Sequence, residues 1–390
     1  MILTARRAVT AFAAMAIPAS LVLAGTAATA SSGGAHAQPG FTVKQIVNGM
    51  KLHHSYTVSG TTKTEPLADP DDLTHFGDEL FTAFQNGVGP QGQPSTDGNT
   101  DSTVVEFTPS GHVIRQWDIK GKCDGVTADP DLGVLIATVN EDANSSLYTI
   151  NPWASRGPGI QHYAYNEPLP HNGGTDAITI LGGQILISAS APGTTGAPAP
   201  QPTYPAAYSV ALGAKHVATV TPLFGDEARA TVANIGPGHG KSVKLALIDP
   251  DSNFAVPWGA PRFAGDFELT SQGDKEQIYA QPHDGALRLQ VLSLSQSVDD
   301  TAWISGAGTL FAADTSGDTV DRVDGDFQAG SVFVAVTPCD ADNAPATCPA
   351  PGFPPNYVGQ LGPWTGHVSR VMLSGPRLEP QGMLFLSAGH

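Results

Sequence analysis

The chain is poor in cysteine and in basic residues, and both shortages exclude classes of protein. Its 390 residues include 3 cysteines, and 19 lysines and arginines stand against 36 aspartates and glutamates. So few cysteines exclude a small disulfide-stapled scaffold. The formal net charge of −17 excludes nucleic acid and anionic lipid as expected partners, because an acidic surface repels them. After the first 24 residues no apolar run is long enough to predict a membrane span.

The first residues predict export. Arg6-Arg7 form a basic segment and residues 8–24 form an apolar segment. Ala28-Thr29-Ala30 fits a small-residue cleavage site, and Ala35-His36-Ala37 offers a second one. We expect the Sec route rather than the twin-arginine route, because the residues around the arginine pair fit the twin-arginine motif poorly. The sequence therefore predicts a signal peptide and tether over residues 1–37 and a single secreted domain over residues 38–390.

Motifs that identify a reaction are also missing. The sequence has no His-Glu-x-x-His, no paired Cys-x-x-Cys and no Gly-x-Ser-x-Gly, so neither a zinc site nor a typical serine hydrolase is predicted. Cys339 and Cys348 bracket a short polar loop, and in an oxidising compartment we expect them to form a disulfide. Cys123 is then the odd cysteine, either a buried inert thiol or a reactive one.

Turn-forming residues are abundant, and a repeated pattern lies between them. The 44 glycines and 32 prolines favour strands and turns over helices. The repeat is an Asp on a short apolar strand, a turn with Gly or Asp, and a second apolar strand ending in Ala. Its copies begin at Asp72, Asp124, Asp176 and Asp300, and the first three are 52 residues apart.

Further strands in each copy predict the fold. Each of the first three copies adds two alternating segments, which makes four strands per copy, and this is typical of β-propeller blades. Residues 176–300 leave room for one more blade, and residues 380–386 match the opening strand of a last blade. Strands at 41–47 and 52–58 would complete that blade and join the chain ends. The prediction is an all-β, six-bladed β-propeller, with seven blades as the alternative.

The strand pattern resembles that of a known superfamily. With Leu147-Tyr148-Thr149-Ile150-Asn151-Pro152 and Val105-Glu106-Phe107-Thr108-Pro109-Ser110-Gly111 as third-strand endings, the chain resembles secreted β-propellers of the NHL-repeat and SMP-30/gluconolactonase-like kind. This resemblance implies the propeller fold over nearly all of the mature chain. It leaves function open, because the group includes lactonases, lyases and pure binding domains. The lactonase-like branch is expected to bind a divalent metal in the central channel through Glu, Asn and Asp side chains, and this set of ligands has no match in this sequence.

The repeated Asp is the most regular polar feature. Innermost strands of a propeller line its channel, so Asp72, Asp124, Asp176 and Asp300 are candidate channel or metal ligands, with Gln381 at the matching place in the last copy. Crowded carboxylates bind a hard cation such as Ca²⁺ or raise one another's pKa. Alternatively, each Asp caps its own strand through backbone N–H groups.

Other polar motifs have plainer interpretations. Asp-Pro-Asp at 69–71, 129–131 and 249–251 is ordinary turn chemistry, because the ligand spacing of a calcium loop is absent. His75, His171 and Asn172 are candidate residues for the channel mouth, although a loop histidine is more often solvated. The inserts at 86–101, 191–204 and 337–356 are either lids over one mouth or plain surface loops.

Two classes of function remain. The first is a monomeric binding protein whose ligand is a small molecule or an extracellular polymer or protein. The second is a metal-dependent hydrolase or lyase, lactonase-like, with its site at the channel mouth and a divalent metal such as Ca²⁺ as cofactor. The lack of a catalytic motif favours binding.

Overall fold

The computed structural model describes residues 40–170, 173–190, 204–283, 286–338 and 356–389. Over these ranges the chain is all-β and contains no α-helix. None of its described segments is a helix of the length and apolarity that crossing a membrane requires. The predicted signal peptide lies outside the described residues, as do His171, Asn172, Cys339 and Cys348.

The first half of the domain consists of short strands joined by turns. In chain order they are β1 (Phe41–Asn48), β2 (His53–Val58), β3 (Thr61–Pro66), β4 (Pro70–Phe76), β5 (Glu79–Phe84), β6 (Asp101–Phe107), β7 (Val113–Lys120), β8 (Cys123–Asp129), β9 (Val134–Val139), β10 (Ser146–Ile150), β11 (Ile160–Tyr165), β12 (Gly174–Leu181), β13 (Gln184–Ser190), β14 (Pro205–Leu212) and β15 (Val217–Gly225).

The second half continues in the same way. Its strands are β16 (Arg229–Val232), β17 (Ser242–Lys244), β18 (Pro250–Ala255), β19 (Phe267–Ser271), β20 (Glu276–His283), β21 (Ala286–Ser293), β22 (Val298–Trp303), β23 (Gly308–Asp314), β24 (Thr319–Asp324), β25 (Val332–Val336), β26 (Tyr357–Leu361), β27 (Val368–Arg370), β28 (Leu373–Ser374) and β29 (Pro380–Ser387).

The burial of each strand follows from its residues. The second strand of a sheet is an apolar run that is covered on both faces, as in β9, where Leu135 and Ile136 are fully buried. The outer strand β7 alternates instead, with Trp117 and Ile119 buried and Asp118 between them exposed. Gly77 has a φ of 61° in the turn from β4 to β5, a conformation that favours glycine.

The strands form antiparallel four-stranded units that share one plan. β4–β7, β8–β11 and β12–β15 are each such a unit, and a parallel pairing of β11 with β15 merges the last two into one eight-stranded sheet. The next sheet has the order β18-β19-β20-β21-β16-β17. The last two four-stranded units are β22-β25-β26-β27 and β29-β23-β24-β1, with β28 paired to β1.

The inner strands of these units contact one another in a closed cycle. In the described part of the chain the cycle runs β4, β8, β12, β18, β22, β29 and back to β4. Two glycines mark the close approaches, since a Cβ added at Gly125 would lie 2.8 Å from the Asp176 carbonyl oxygen, and one at Gly382 would lie 2.0 Å from that of Asp71. The core therefore lies between neighbouring units around the cycle.

Strands from both ends of the chain lie in one sheet, as expected, but only one N-terminal strand, β1, belongs to it. β1 and β29 lie in the same five-stranded sheet, separated by β23 and β24. The predicted strand at 52–58 forms β2 instead, and β2 pairs with β3 in a separate hairpin. One face of β2 is polar and exposed, at His53, Ser55 and Thr57, which suits a hairpin outside the larger sheets.

One predicted pairing is wrong, and one inner strand was missed. The strand that begins the Asp300 copy, β22, pairs with β25, whereas β23 pairs with β29. Between residues 176 and 300, where the sequence predicted one further blade, the inner strand is Pro250–Ala255. That inner strand was missed because its Asp-Pro-Asp start was interpreted as a turn.

Candidate ligand site

Each inner strand carries a β-bulge near its start, where its pairing with the second strand shifts register. A bulge leaves residues out of the ladder and redirects their side chains. In the described inner strands the first bulged position holds an aspartate five times and a glutamine once, and all of these residues line one cavity of about 570 Å³. We call them the bulge ring: Asp71, Asp124, Asp176, Asp251, Asp299 and Gln381.

The bulge ring concentrates carboxyl groups that are costly to ionise. Burial raises the pKa of Asp71, Asp176 and Asp251 well above the ordinary value of 3.8. The neighbouring carboxylates raise these values further, Asp124 acting on Asp71 and Asp299 acting on Asp251. Carboxyl groups in such surroundings favour either a bound proton or a bound cation at neutral pH.

One lysine offsets part of this charge. Lys122 Nζ lies 2.7 Å from Asp124 Oδ1 and also contacts Glu141. Burial lowers the pKa of Lys122, but the attraction of Asp124, Glu141 and Asp71 outweighs burial and raises it well above 10.5. Burial raises the pKa of Asp124 to about 7 even though Lys122 lowers it. Of the described residues that line the cavity, Lys122 is the only basic one.

The two other repeated aspartates are bonded to backbone. Asp72 accepts hydrogen bonds from the N–H groups of Leu73 and Val126, at 2.6 and 2.7 Å. Asp300 does the same with Thr301 and Met383, both at 2.6 Å. Each carboxylate thus caps its own strand and also ties it to the next inner strand of the cycle.

The predicted set of four aspartates therefore falls into two groups. Asp124 and Asp176 belong to the bulge ring. Asp72 and Asp300 occupy the second position of their bulges, directly after the ring members Asp71 and Asp299. The structure adds Asp251 and Lys122, which the sequence interpretation did not single out. The available signal for Asp71 and Asp251 was the Asp-Pro-Asp sequence, whose last two residues begin an inner strand in both places.

Two buried acceptor atoms that line the cavity have no hydrogen-bond partner among the described residues. They are Asp124 Oδ2 and Asn253 Oδ1. The other Asp124 oxygen accepts from Gln85 Nε2 at 3.0 Å, and Asn253 Nδ2 donates to the Ala177 carbonyl at 2.6 Å. A buried acceptor left without a partner costs about 1–3 kcal/mol, so both atoms favour a ligand that donates.

The carboxylates of the bulge ring do not converge on a point. Within the described residues no group of three or more His, Cys, Asp or Glu side chains is arranged to hold a metal ion. Ca²⁺ takes 6–8 oxygen ligands at about 2.3–2.6 Å. The residues as arranged therefore do not fit a directly coordinated metal.

Neither His75 nor Cys123 is among the described residues that line the cavity. His75 is near the far end of β4 from Asp71, with Nδ1 3.4 Å from the Gly77 carbonyl oxygen, and it is not among the residues that line the cavity. Cys123 is free and completely buried. Burial raises the pKa of its thiol well above the ordinary value, which makes it an inert thiol.

The inserts leave the sheets at the end where the inner strands begin. Each follows a second strand, namely β5, β13 or β25, whose last residues pair with the start of the inner strand. The insert at 86–101 lies against the next unit, because the Asp142 N–H donates to the Pro90 carbonyl at 3.0 Å, and Pro90 lines the cavity. Residues 191–203 and 339–355 lie outside the described residues.

Comparison with known proteins gives loose structural likeness only. No protein-family model matches the chain, and no curated protein matches its sequence. Similar solved structures include a putative 6-phosphogluconolactonase from Bacteroides fragilis, 10% identical with a TM-score of 0.42, covering 90% of this chain and 99% of that one. The periplasmic gluconolactonase of Pseudomonas aeruginosa is 14% identical with a TM-score of 0.41 and the same coverage.

The Swd1 β-propeller domain of Myceliophteria thermophila is also similar, at 13% identity and a TM-score of 0.40, covering 82% of this chain and 76% of that one. Gluconolactonase-like and β-propeller proteins are thus both among the structures that the chain resembles. At these scores the alignments assign neither an activity nor a site to the chain.

Proposed function

We propose that the chain is a secreted, six-bladed β-propeller that binds a cationic ligand in the cavity lined by the bulge ring. The closed cycle of inner strands supports the propeller, and each four-stranded unit supplies one blade. A single observation carries the function: equivalent bulges of five inner strands place an aspartate in the same cavity. A glutamine occupies the sixth equivalent position.

The charge balance of the cavity supports this proposal. Lys122 is the single basic residue among the described lining residues, against the aspartates of the bulge ring and the further acids Asp69, Glu141 and Asp142. A concave site lined by one sign of charge raises the local concentration of oppositely charged ligands. Its volume of about 570 Å³ is within the range of small-molecule sites, about 300–1,000 Å³.

A metal-dependent hydrolase or lyase is the second candidate. It is favoured by Asp124, since a carboxyl with a pKa of about 7 can accept or donate a proton at neutral pH. A divalent cation such as Ca²⁺ would have to bind through intervening water, because the described side chains do not converge on it. Metal analysis of the purified protein, with lactone hydrolysis measured with and without EDTA, tests this candidate.

Thermal melting tests the binding site itself. The mature protein is melted with CaCl₂, MgCl₂ or butylammonium chloride, each balanced with tetramethylammonium chloride to constant ionic strength. A cation at 100 times its Kd stabilises the fold by about 2.7 kcal/mol, which raises the Tm by several degrees. The variant Asp176→Asn should reduce that rise, because it removes a ring carboxylate, and Asp78→Asn, in an exposed turn, should not.

The melting experiment can either support or overturn the proposed cation site. A Tm that responds to a cation and loses the response in Asp176→Asn supports the site. A Tm that no cation changes, or a response that survives equally in Asp176→Asn and Asp78→Asn, overturns it.

A further inference from the structure

The buried side-chain atoms of the cavity that lack a hydrogen-bond partner among the described residues are both acceptors. Asp124 Oδ2 and Asn253 Oδ1 are acceptors without partners, and their residues are only 3% and 8% exposed. The Asn253 amide is oriented by its own Nδ2, which donates to Ala177 and Ser188, so Oδ1 remains the free atom. Asp176, 7% exposed, receives no hydrogen bond on its carboxylate from any described residue.

Two donors beside these acceptors are already engaged. Lys122 is held by Asp124 and Glu141, and the side-chain amide of Gln85 is held by Asp124. A ligand that satisfies the remaining oxygens must bring both the hydrogen-bond donors and the positive charge.

An ammonium group matches this arrangement better than a metal ion. A metal needs several oxygens around one point, and the described side chains supply no such group of three. An ammonium has three donors and bonds one or two oxygens at a time. Carboxylates distributed around a cavity therefore suit several ammonium groups at separate places on one molecule.

Apolar side chains lie next to the carboxylates. Two residues after the bulge ring, four inner strands carry an apolar side chain that lines the same cavity: Leu73, Val126, Ile178 and Met383. These four side chains are 2–5% exposed and pack in the hydrophobic cores, so each presents only a small apolar edge to the cavity. The cavity thus combines separated anionic oxygens with small apolar edges beside them.

We propose that the ligand is an aliphatic amine that carries two or more ammonium groups on a methylene chain. The proposal rests on the cation site put forward above and names the class of its ligand. The ammonium groups bond the ring carboxylates and the free oxygens of Asp124 and Asn253, and the methylene chain spans the distance between these oxygens.

Titration calorimetry with the mature protein at fixed ionic strength tests this assignment. The probes are spermidine and 1,4-diaminobutane, compared with 1-aminobutane, the uncharged 1,4-butanediol, and CaCl₂. We expect each diamine or triamine to bind at least about tenfold more tightly than the monoamine, because one more charge-assisted hydrogen bond is worth that factor. The diol should not bind.

Two aspartates from the same sequence motif supply a matched pair of variants. Asp251 and Asp131 both end an Asp-Pro-Asp sequence, but Asp251 lines the cavity and Asp131 is exposed in a turn. Asp251→Asn should weaken spermidine binding about tenfold, and Asp131→Asn should leave it unchanged. Loss of folding is not expected, since burial already disfavours the charge of Asp251.

The binding results distinguish the amine assignment from the cation site on which it rests. Spermidine that binds no better than 1-aminobutane, or equally well to both variants, overturns the ligand class. If CaCl₂ binds and loses affinity in Asp251→Asn while the amines do not bind, the amine assignment fails and the cation site stands. If no probe binds, both proposals fail.

Discussion

Lowering the pH from 7 to 5 should stabilise the folded domain, because its buried carboxyl groups hold protons more tightly than the unfolded chain does. Glu268 and Asp72 are the clearest cases. Glu268 is 1% exposed and accepts hydrogen bonds from Trp303 Nε1 and Gln277 Nε2. Burial raises the pKa of Glu268 from 4.5 to about 7, and it raises that of Asp72 from 3.8 to about 7.

The direction of this pH dependence of stability follows from proton linkage. Over about pH 4 to 7, the range set by these pKa values, the native state binds more protons than the unfolded state. The free energy of unfolding therefore rises as pH falls. One pKa unit corresponds to about 1.4 kcal/mol. Two pH units below a native pKa of about 7 therefore contribute about 2 kcal/mol for each of the two groups. The raised pKa values of Asp71, Asp176 and Asp251 act in the same direction.

His54 adds to the same trend. It lies 3.2 Å from Glu65 Oε1 and 3.6 Å from Asp118 Oδ1. Burial lowers its pKa, but these two carboxylates raise it above the ordinary value of 6.5. Its contribution is fully present below pH 6.5 and is lost as pH rises through the native pKa.

Urea unfolding followed by tryptophan fluorescence at pH 5, 6, 7 and 8, at constant ionic strength and without divalent cations or amines, measures the effect. The free energy of unfolding should increase by several kcal/mol from pH 7 to pH 5. The variant Glu268→Gln should show a shallower pH dependence, because one titrating group is gone. A free energy that stays level or falls between pH 7 and pH 5 refutes the reasoning.

Two further substitutions test specific contacts. Lys122→Met should cost about 3 kcal/mol or more at pH 7, because Asp124 and Glu141 lose their partner; urea unfolding should show a smaller cost at pH 5, where Asp124 is protonated, and an equal cost at both values would contradict the pairing. Trp303→Phe should cost about 1–3 kcal/mol by leaving Glu268 Oε2 without its donor. Trp258→Phe, at an 83% exposed residue, is its control and should change stability by less than about 0.5 kcal/mol.

Local alternation predicted the existence of the strands better than their partners. The segment at 310–313 and the strand β25 are both buried apolar runs, and both have the pattern expected of a second strand. Nothing in that pattern states which inner strand each one joins, because every unit presents the same kind of buried edge. The exchange that places β23 and β24 in the sheet of β29 depends on tertiary packing alone.

The candidate site was only partly predictable for a different reason. Repetition of Asp in the sequence pointed to the inner strands, and Asp124 and Asp176 do lie in the bulge ring. A bulge shifts the register by one residue, however, and no sequence rule marked where it falls. Where Asp71-Asp72 and Asp299-Asp300 supply two neighbouring aspartates, the sequence could not tell which one lines the ring and which one bonds the backbone.

The bulge accounts for both roles that the sequence left open for the repeated Asp, which are channel ligand and strand cap. Its first residue is released from the ladder and points its carboxyl group into the cavity, while its second residue meets the neighbouring inner strand. At that second position Asp72 and Asp300 accept backbone N–H groups across the junction, and Gly125 and Gly382 allow close contact there. Substitution at the first position should therefore alter ligand binding with little loss of stability, and substitution at the second should weaken the junction between units. The same short irregularity thus builds the ring and equips it with its carboxylates.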